Sequence, residues 1–216
     1  MIKDEFFTFP ATSPEKVEEI RSKIGDFISG SRLEHTFSVE KEALNIAKYV
    51  FPVCGTDNSH FYDVSASALL HDITKGLSLA EQLELCEKYG IEKGEFPSCA
   101  LLHSKTAAYL SRELFGVNDA VFSAILCHTT GKENMSVLDK IIFVSDYIEP
   151  NREYEECKKA REYFYEIVSN SPESILTALD GTILLSLDGT IRSLLRKNQP
   201  IDVQTIITRN HFFKPN

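Results

Sequence analysis

In the stretch SALLHDITKG, His71 and Asp72 follow directly on the apolar run Ala68, Leu69 and Leu70. A helix with such a face buries it against neighbours, and an ionised carboxylate there costs several kcal/mol or more unless a cation or a donor answers it. Asp146 repeats the problem in IIFVSDYI, with Ile142 and Phe143 one turn earlier on its face. Histidines sit in comparable settings. His103 shares a helical face with the small Ala100 and Ala107, and His128 with Ala124 and Ile125. A His-Asp dipeptide alone is weak evidence, since about 0.3 are expected by chance from this composition. A single helical histidine is more often a core or surface residue than a ligand. The constellation is the signal: His35, His71-Asp72, His103, His128 and Asp146 bring imidazoles and carboxylates from about five helices. That nitrogen and oxygen set suits divalent iron, manganese or zinc.

The elements that must hold these residues read as helix after helix. Ser13-Pro14-Glu15 starts the first, which carries Val17, Ile20, Ile24, Phe27 and Ile28 on one side. A second runs from about Ser31 to Val50, and residues 51–60 read as a loop. The third holds the His-Asp pair. Ser78 caps a fourth that ends at Gly90, and Cys99 to Phe115 forms the next, stopped by Gly116. Asn118 caps a helix ending near Gly131, and Ser136 opens one that Pro150 stops. About three more complete an all-α fold of about nine or ten helices; no run alternates like a strand for long. LDGTI occurs at 179–183 and again at 187–191, too short a period for a repeat architecture.

Composition bounds the rest. The chain has 216 residues, 43% apolar and 25% charged, as in one globular domain. No uninterrupted apolar run approaches the roughly 20 residues that span a bilayer, and the start MIKDEFFTFP lacks a signal layout, so the expected home is the cytoplasm, away from membranes. The net charge of −9 argues against a broad nucleic-acid surface. Cys54, Cys86, Cys99, Cys127 and Cys157 show no paired spacing and are expected to be core thiols.

The segments RLEHTFSV, SALLHDITKG, LLHSKTAAYL, ILCHTTGKENMSVLDKIIFVSDYIEPNR and, more loosely, QPIDVQTIITRN extend from about Arg32 to Asn210. In this order they resemble the HD-domain metal-dependent phosphohydrolases and, more closely, the YqeK-type symmetrical diadenosine tetraphosphatases. HTTG followed by DKIIFVSDYIEPNR is far more specific than His-Asp alone. The chain departs from the pattern before Ser13, in residues 51–60, and at Asp202, where a histidine would be expected.

The resemblance implies one HD-type helical bundle over residues 13–216, with a metal centre in its core and residues 1–12 as an N-terminal extension. His35, His71, Asp72 and Asp146 would ligate a principal ion, iron before manganese or zinc. His103 and His128 would face a second metal or the substrate phosphates, and Asp72, His103 and His128 would carry catalysis. Arg32, Lys75, Thr129 and Arg152, with the two outer histidines, would contact the nucleotide. The implied reaction is hydrolysis of diadenosine tetraphosphate to two ADP by a metal-activated hydroxide, in a possible homodimer. Another HD-type nucleotide hydrolase, or a nucleotide-sensing metal module without catalysis, is the alternative. No Gly-rich phosphate loop points to a kinase or NTPase.

Overall fold

The structure is a computed structural model that describes residues 10–213. Among these residues it is all-helical, with ten α-helices, short 3-10 turns and no strand. The helices start and stop largely where the capping chemistry says. Ser13 accepts from the Lys16 N–H to open α1 (Pro14–Lys23). Ser78 and Glu81 form a capping box at the head of α4 (Leu79–Tyr89), and Ser136 and Asp139 do the same for α7 (Val137–Ile148). Gly116 closes α5 (Cys99–Phe115) in the left-handed region, and Asn118 caps α6 (Asp119–Cys127) by accepting from the Val121 N–H. The chain ends in α8 (Glu155–Asn170), α9 (Ile175–Arg196) and α10 (Val203–Phe212); Asp202 caps the last.

Four boundaries differ from the sequence reading. The first helix ends at Lys23, with Ile24 in a 3-10 turn and Phe27 and Ile28 beyond it, although Ile24 and Ile28 are still buried. The segment expected to be a loop from Phe51 to His60 is helical for its first turn: α2 runs from Ser31 to Cys54 through Pro52. Phe51 and Cys54 lie buried in the core, and that burial outweighs the backbone bond the proline removes. The helix α3 (Phe61–Leu70) stops one residue before the His-Asp pair, so His71 is its C-cap and Asp72 lies in the following turn. Likewise α6 ends at Cys127, short of Gly131, with His128 as its C-cap.

Two hydrophobic clusters make the core. One joins α2, α7, α8 and α9 through Val39, Ile46, Ile141, Ile142, Phe164 and Leu179. The other joins α1, α3, α5 and α6 through Ile20, Leu69, Leu70, Ala107, Val121 and Ile125. Helix α3 divides them. Its last eight residues are all buried, Val64 and Ala68 in the first cluster and Ala66, Leu69 and Leu70 in the second. Its C-terminal end therefore delivers His71 and Asp72 to the seam between the two cores.

Four of the cysteines are buried thiols, Cys99 is half-buried, and none forms a disulfide. Residues 172–196 form a helical segment long and apolar enough to cross a membrane, although no uninterrupted apolar run in it is long. Ser, Thr and Gly interrupt the runs without lowering the average much. In the fold this segment packs into the first cluster through Ile175, Leu179, Ile183 and Leu187. Both LDGTI copies lie in α9, and each glycine admits a tyrosine: a Cβ at Gly181 would meet the Tyr163 hydroxyl, and one at Gly189 the Tyr147 hydroxyl at 2.7 Å. Residues 1–9 of the expected extension lie outside the described residues. Residues 10–12 are anchored on the bundle: the Thr12 N–H and hydroxyl donate to Asp63 at 2.9 and 2.6 Å, and the Pro10 carbonyl accepts from Asn118 at 3.2 Å.

Gly131 fastens the turn after His128 to α10. Its φ is +66°, its N–H donates to the Cys127 carbonyl at 2.8 Å, and an added Cβ would meet Thr208 Cγ2 at 2.5 Å. Gly131→Ala is expected to destabilise the protein by about 1–3 kcal/mol through backbone strain and overlap. Adding Thr208→Ala should recover part of that loss, which denaturant titration of the single and double variants measures. No recovery would mean that α10 yields freely and that only the backbone term acts.

Candidate metal centre

The six residues singled out from spacing converge. His35 comes from the first turns of α2, His71 and Asp72 from the end of α3, His103 from α5, His128 from the end of α6 and Asp146 from α7. Their donor atoms form three overlapping triads, each within 4.8 Å: His35, His71 and Asp72; His71, His128 and Asp146; Asp72, His103 and His128. His71 and His103 are fully buried, Asp72 and His128 nearly so, and His35 and Asp146 sit at the edge.

The imidazoles share one orientation rule. His71 Nδ1 lies 2.7 Å from the Ala68 carbonyl, His128 Nδ1 2.7 Å from the Ile125 carbonyl and His103 Nδ1 3.1 Å from the Cys99 carbonyl. A carbonyl oxygen only accepts, so each Nδ1 carries a proton, and a ring that holds only that proton presents a bare Nε2 lone pair. The ends of α3 and α6 thus use the same device, a histidine bonded back to the carbonyl three residues earlier. His35 Nδ1 is held instead by the Glu149 carboxylate at 3.1 Å, with Nε2 turned to Asp146 Oδ1 at 3.0 Å.

Electron-pair donors therefore face one another. His103 Nε2 and His128 Nε2 are 2.9 Å apart, and Asp72 Oδ1 lies 3.2 Å from the first and 3.7 Å from the second. His71 Nε2 is 3.8 Å from both Asp72 Oδ2 and Asp146 Oδ1. Buried His71 Nε2 and Asp72 Oδ1 have no hydrogen-bond partner. Such orphans are costly, and a divalent cation among them is what would satisfy nitrogen lone pairs and carboxylates together. The residues fit a metal.

Cations of the chain stand at the rim, each about a third exposed. Arg32 Nη1 donates to Asp72 Oδ2 at 2.8 Å, Arg152 Nη2 to Asp146 Oδ1 at 2.5 Å, and Lys75 Nζ to His103 Nε2 at 2.9 Å. The Thr129 hydroxyl is 3.3 Å from the same His103 nitrogen. All four predicted phosphate contacts thus reach the centre. Arg32, His35, Asp72, Lys75 and Arg152, with Ser31, line a cavity of about 200 Å³. Asp202, the position where a histidine was expected, is spent on capping α10.

The electrostatics follow from this packing. Burial pushes the His71 and His103 rings down to about 4, with neighbouring carboxylates opposing. Burial would raise Asp72, but His71, His103, His128 and Lys75 outweigh it and hold the carboxyl well below its usual range. Asp146 is held low in the same way, against burial, by Arg152, His35 and His71. His35 goes the other way: burial lowers it, yet Asp146 and Glu149 prevail and raise it.

Two residues that sequence reasoning left unassigned complete the site. Glu149 Oε1 orients His35, while Oε2 accepts from the Ser38 hydroxyl at 2.5 Å and from the Asn151 N–H at 2.7 Å. A carboxylate three residues after Asp146 and directly before Pro150 was the available signal. Arg161 of α8 donates to the carbonyls of Ile148 and Glu149, both at 2.6 Å, and of Arg152 at 3.1 Å. It thereby braces the turn carrying Glu149 and Arg152, and nothing local in the sequence marks it.

An all-helical bundle with a seam of histidines and aspartates defines a class, and comparison agrees. The HD domain profile matches residues 32–151, and the chain belongs to the HD-domain family. The chain is 38% identical over 181 residues, 83% of its length and 87% of the relative's, to the symmetrical bis(5'-nucleosyl)-tetraphosphatase of Halalkalibacterium halodurans, and belongs to that family as well. The protein of the same name from Bacillus subtilis is 28% identical, covering 89% of this chain and 95% of its own. A crystal structure of a predicted HD superfamily hydrolase involved in NAD metabolism, from Clostridium acetobutylicum, superposes with a TM-score of 0.75 at 28% identity, over 94% of this chain and 98% of that one. The centre accordingly binds a divalent metal.

Stripped of metal, the protein should be acid-sensitive well above the carboxylate range. Between pH 6.5 and 4 the unfolded chain protonates His71 and His103 while the folded one does not, so stability falls as the pH falls through that window. The raised His35 offsets part of the loss. The expected net decrease from pH 7.5 to 5 is on the order of 2–4 kcal/mol. Denaturant midpoints of chelated protein at the two pH values measure it; equal midpoints would mean that the two rings are not held neutral.

Proposed function

We propose that the protein hydrolyses diadenosine tetraphosphate, and related dinucleoside tetraphosphates, to two ADP. The observation that carries this is the inward-facing set of four Nε2 atoms and two carboxylates, with two guanidinium groups and an ammonium group at its mouth. The relatives named for the same reaction support it. The functional unit is the HD-type bundle of residues 13–216, with His35, His71, Asp72 and Asp146 as principal ligands and His103 and His128 toward a second ion or the phosphates. Iron is the proposed metal, ahead of manganese or zinc.

A bound divalent ion would supply neutralisation of the phosphoanhydride and a lowered pKa for the attacking water. The remaining work falls to the chain. The Arg32 and Arg152 guanidinium groups hydrogen-bond the carboxylates that the metal would take over, so their N–H groups become available to phosphate oxygens and pair with them bidentately. The same contacts stabilise charge moving onto the leaving diphosphate. His103 and His128, held with Nδ1 on backbone carbonyls, turn Nε2 inward as acceptors for the attacking water. Lys75 and Thr129 approach His103 Nε2 from the rim and orient the phosphate beside it. No nucleophilic side chain is required.

At low conversion, chromatography should show ADP as the sole early nucleotide product, with one solvent oxygen in every second ADP. Equal amounts of ATP and AMP would refute the symmetric cut, and no turnover with iron or manganese loaded would move the reading to another nucleotide or to a sensor.

Substitutions should separate the two groups of ligands. Asp72→Asn is expected to lose metal and activity together, because Asp72 belongs to two of the three triads and its Oδ1 is without a hydrogen-bond partner. His103→Ala and His128→Ala should each cut turnover strongly, by about 100-fold, while at least one ion stays bound by elemental analysis. Complete loss of metal from either would make the outer histidines ligands of the first ion.

A further inference from the structure

Beyond the polar cavity at the metal centre, two larger clefts open beside it, of about 640 and 540 Å³, each within the usual size of a small-molecule site. They meet at a common wall made by Ala100 of α5 with Thr190 and Leu194 of α9. Each is joined to the centre by one phosphate-facing residue. Arg152, bonded to Asp146, lines the larger cleft, and Thr129, beside His103 Nε2, lines the smaller. Each also carries one unusually exposed ring: Tyr154, 72% exposed, in the larger and Phe96, 56% exposed, in the smaller. Among the described residues these are the two most exposed aromatic side chains.

Exposed rings in two apolar clefts that reach the polyphosphate site at different residues, Arg152 and Thr129, match a ligand with a planar base at each end. Resting on the hydrolytic reading above, we propose that each cleft takes one nucleoside of the dinucleoside tetraphosphate, with Tyr154 and Phe96 as the stacking partners of the two bases. The phosphate chain then runs from Arg152 to Thr129 across the metal centre, which brings an inner phosphorus rather than an end one to the reacting position. A symmetric cut follows from two-ended anchoring. Base stacking on an aromatic ring tolerates any base, so guanosine-containing analogues should enter the same clefts.

Calorimetry of ADP with metal-loaded protein tests this without turnover. Two ADP are expected per chain, and Phe96→Ala and Tyr154→Ala should each weaken one of them about tenfold. Metal content and melting temperature should stay as in the wild type, since both rings are on the surface. KM for diadenosine tetraphosphate should rise about tenfold in each variant, with less change in kcat. One bound ADP or none, or two that ignore both substitutions, overturns the assignment, even if the wild type makes two ADP from diadenosine tetraphosphate. Two sites, each weakened by the loss of its own ring, uphold it, even if that substrate is not turned over and the hydrolytic reading fails.

Discussion

Four imidazole lone pairs and two carboxylates, mostly buried and turned toward one another, cannot satisfy themselves. No arrangement of their own protons serves every atom, because the Nδ1 protons are already committed to backbone carbonyls and to Glu149. Folding such a cluster costs free energy that apolar burial elsewhere must supply, and a cation in its midst recovers it. The architecture can be understood from this constraint. Two hydrophobic clusters, rather than one, leave a seam; α3, buried along its last eight residues, fills that seam and ends where the polar cluster begins.

Helix termination is part of the chemistry. His71 and His128 are placed at helix ends, where the chain can turn away and the ring can reach inward while its other nitrogen bonds back to the last turn. A histidine in mid-helix has less freedom to do both, and His103 meets the requirement with a longer contact of 3.1 Å to Cys99. Gly131, bonded to the carbonyl of Cys127, returns the chain toward α10 immediately after His128. The tightness of these turns orients the donor atoms before any ligand arrives, which is what a metal site needs of its surroundings.

The rim is organised by charge of the opposite sign. In a chain with a net charge of −9, a polyphosphate would be repelled by most of the surface. Arg32, Lys75 and Arg152 create a local positive mouth, and Arg161 keeps the turn carrying Arg152 in place by capping three carbonyls. Two apolar clefts adjoin that mouth, one reaching it at Arg152 and the other at Thr129.

The sequence by itself determined which helices form and which polar donors interrupt their apolar faces. Caps at Ser13, Ser78, Asn118 and Ser136 and the stop at Gly116 are local signals, acting over three or four residues, and they stand in the structure as read. His35, His71, Asp72, His103, His128 and Asp146 were legible because polar donors among apolar neighbours break the pattern of a core helix. Tertiary structure decided the remainder. Core burial carried α2 through Pro52, where local rules end a helix. The roles of Glu149 and Arg161 depend on α7 and α8 meeting α2 and the turn after α7, contacts between residues 9 to 114 positions apart. The tautomers of three histidines rest on backbone carbonyls, which every residue possesses and which no side-chain pattern can mark. A sequence specifies donors through side-chain type; only packing of separate helices fixes which way a lone pair points.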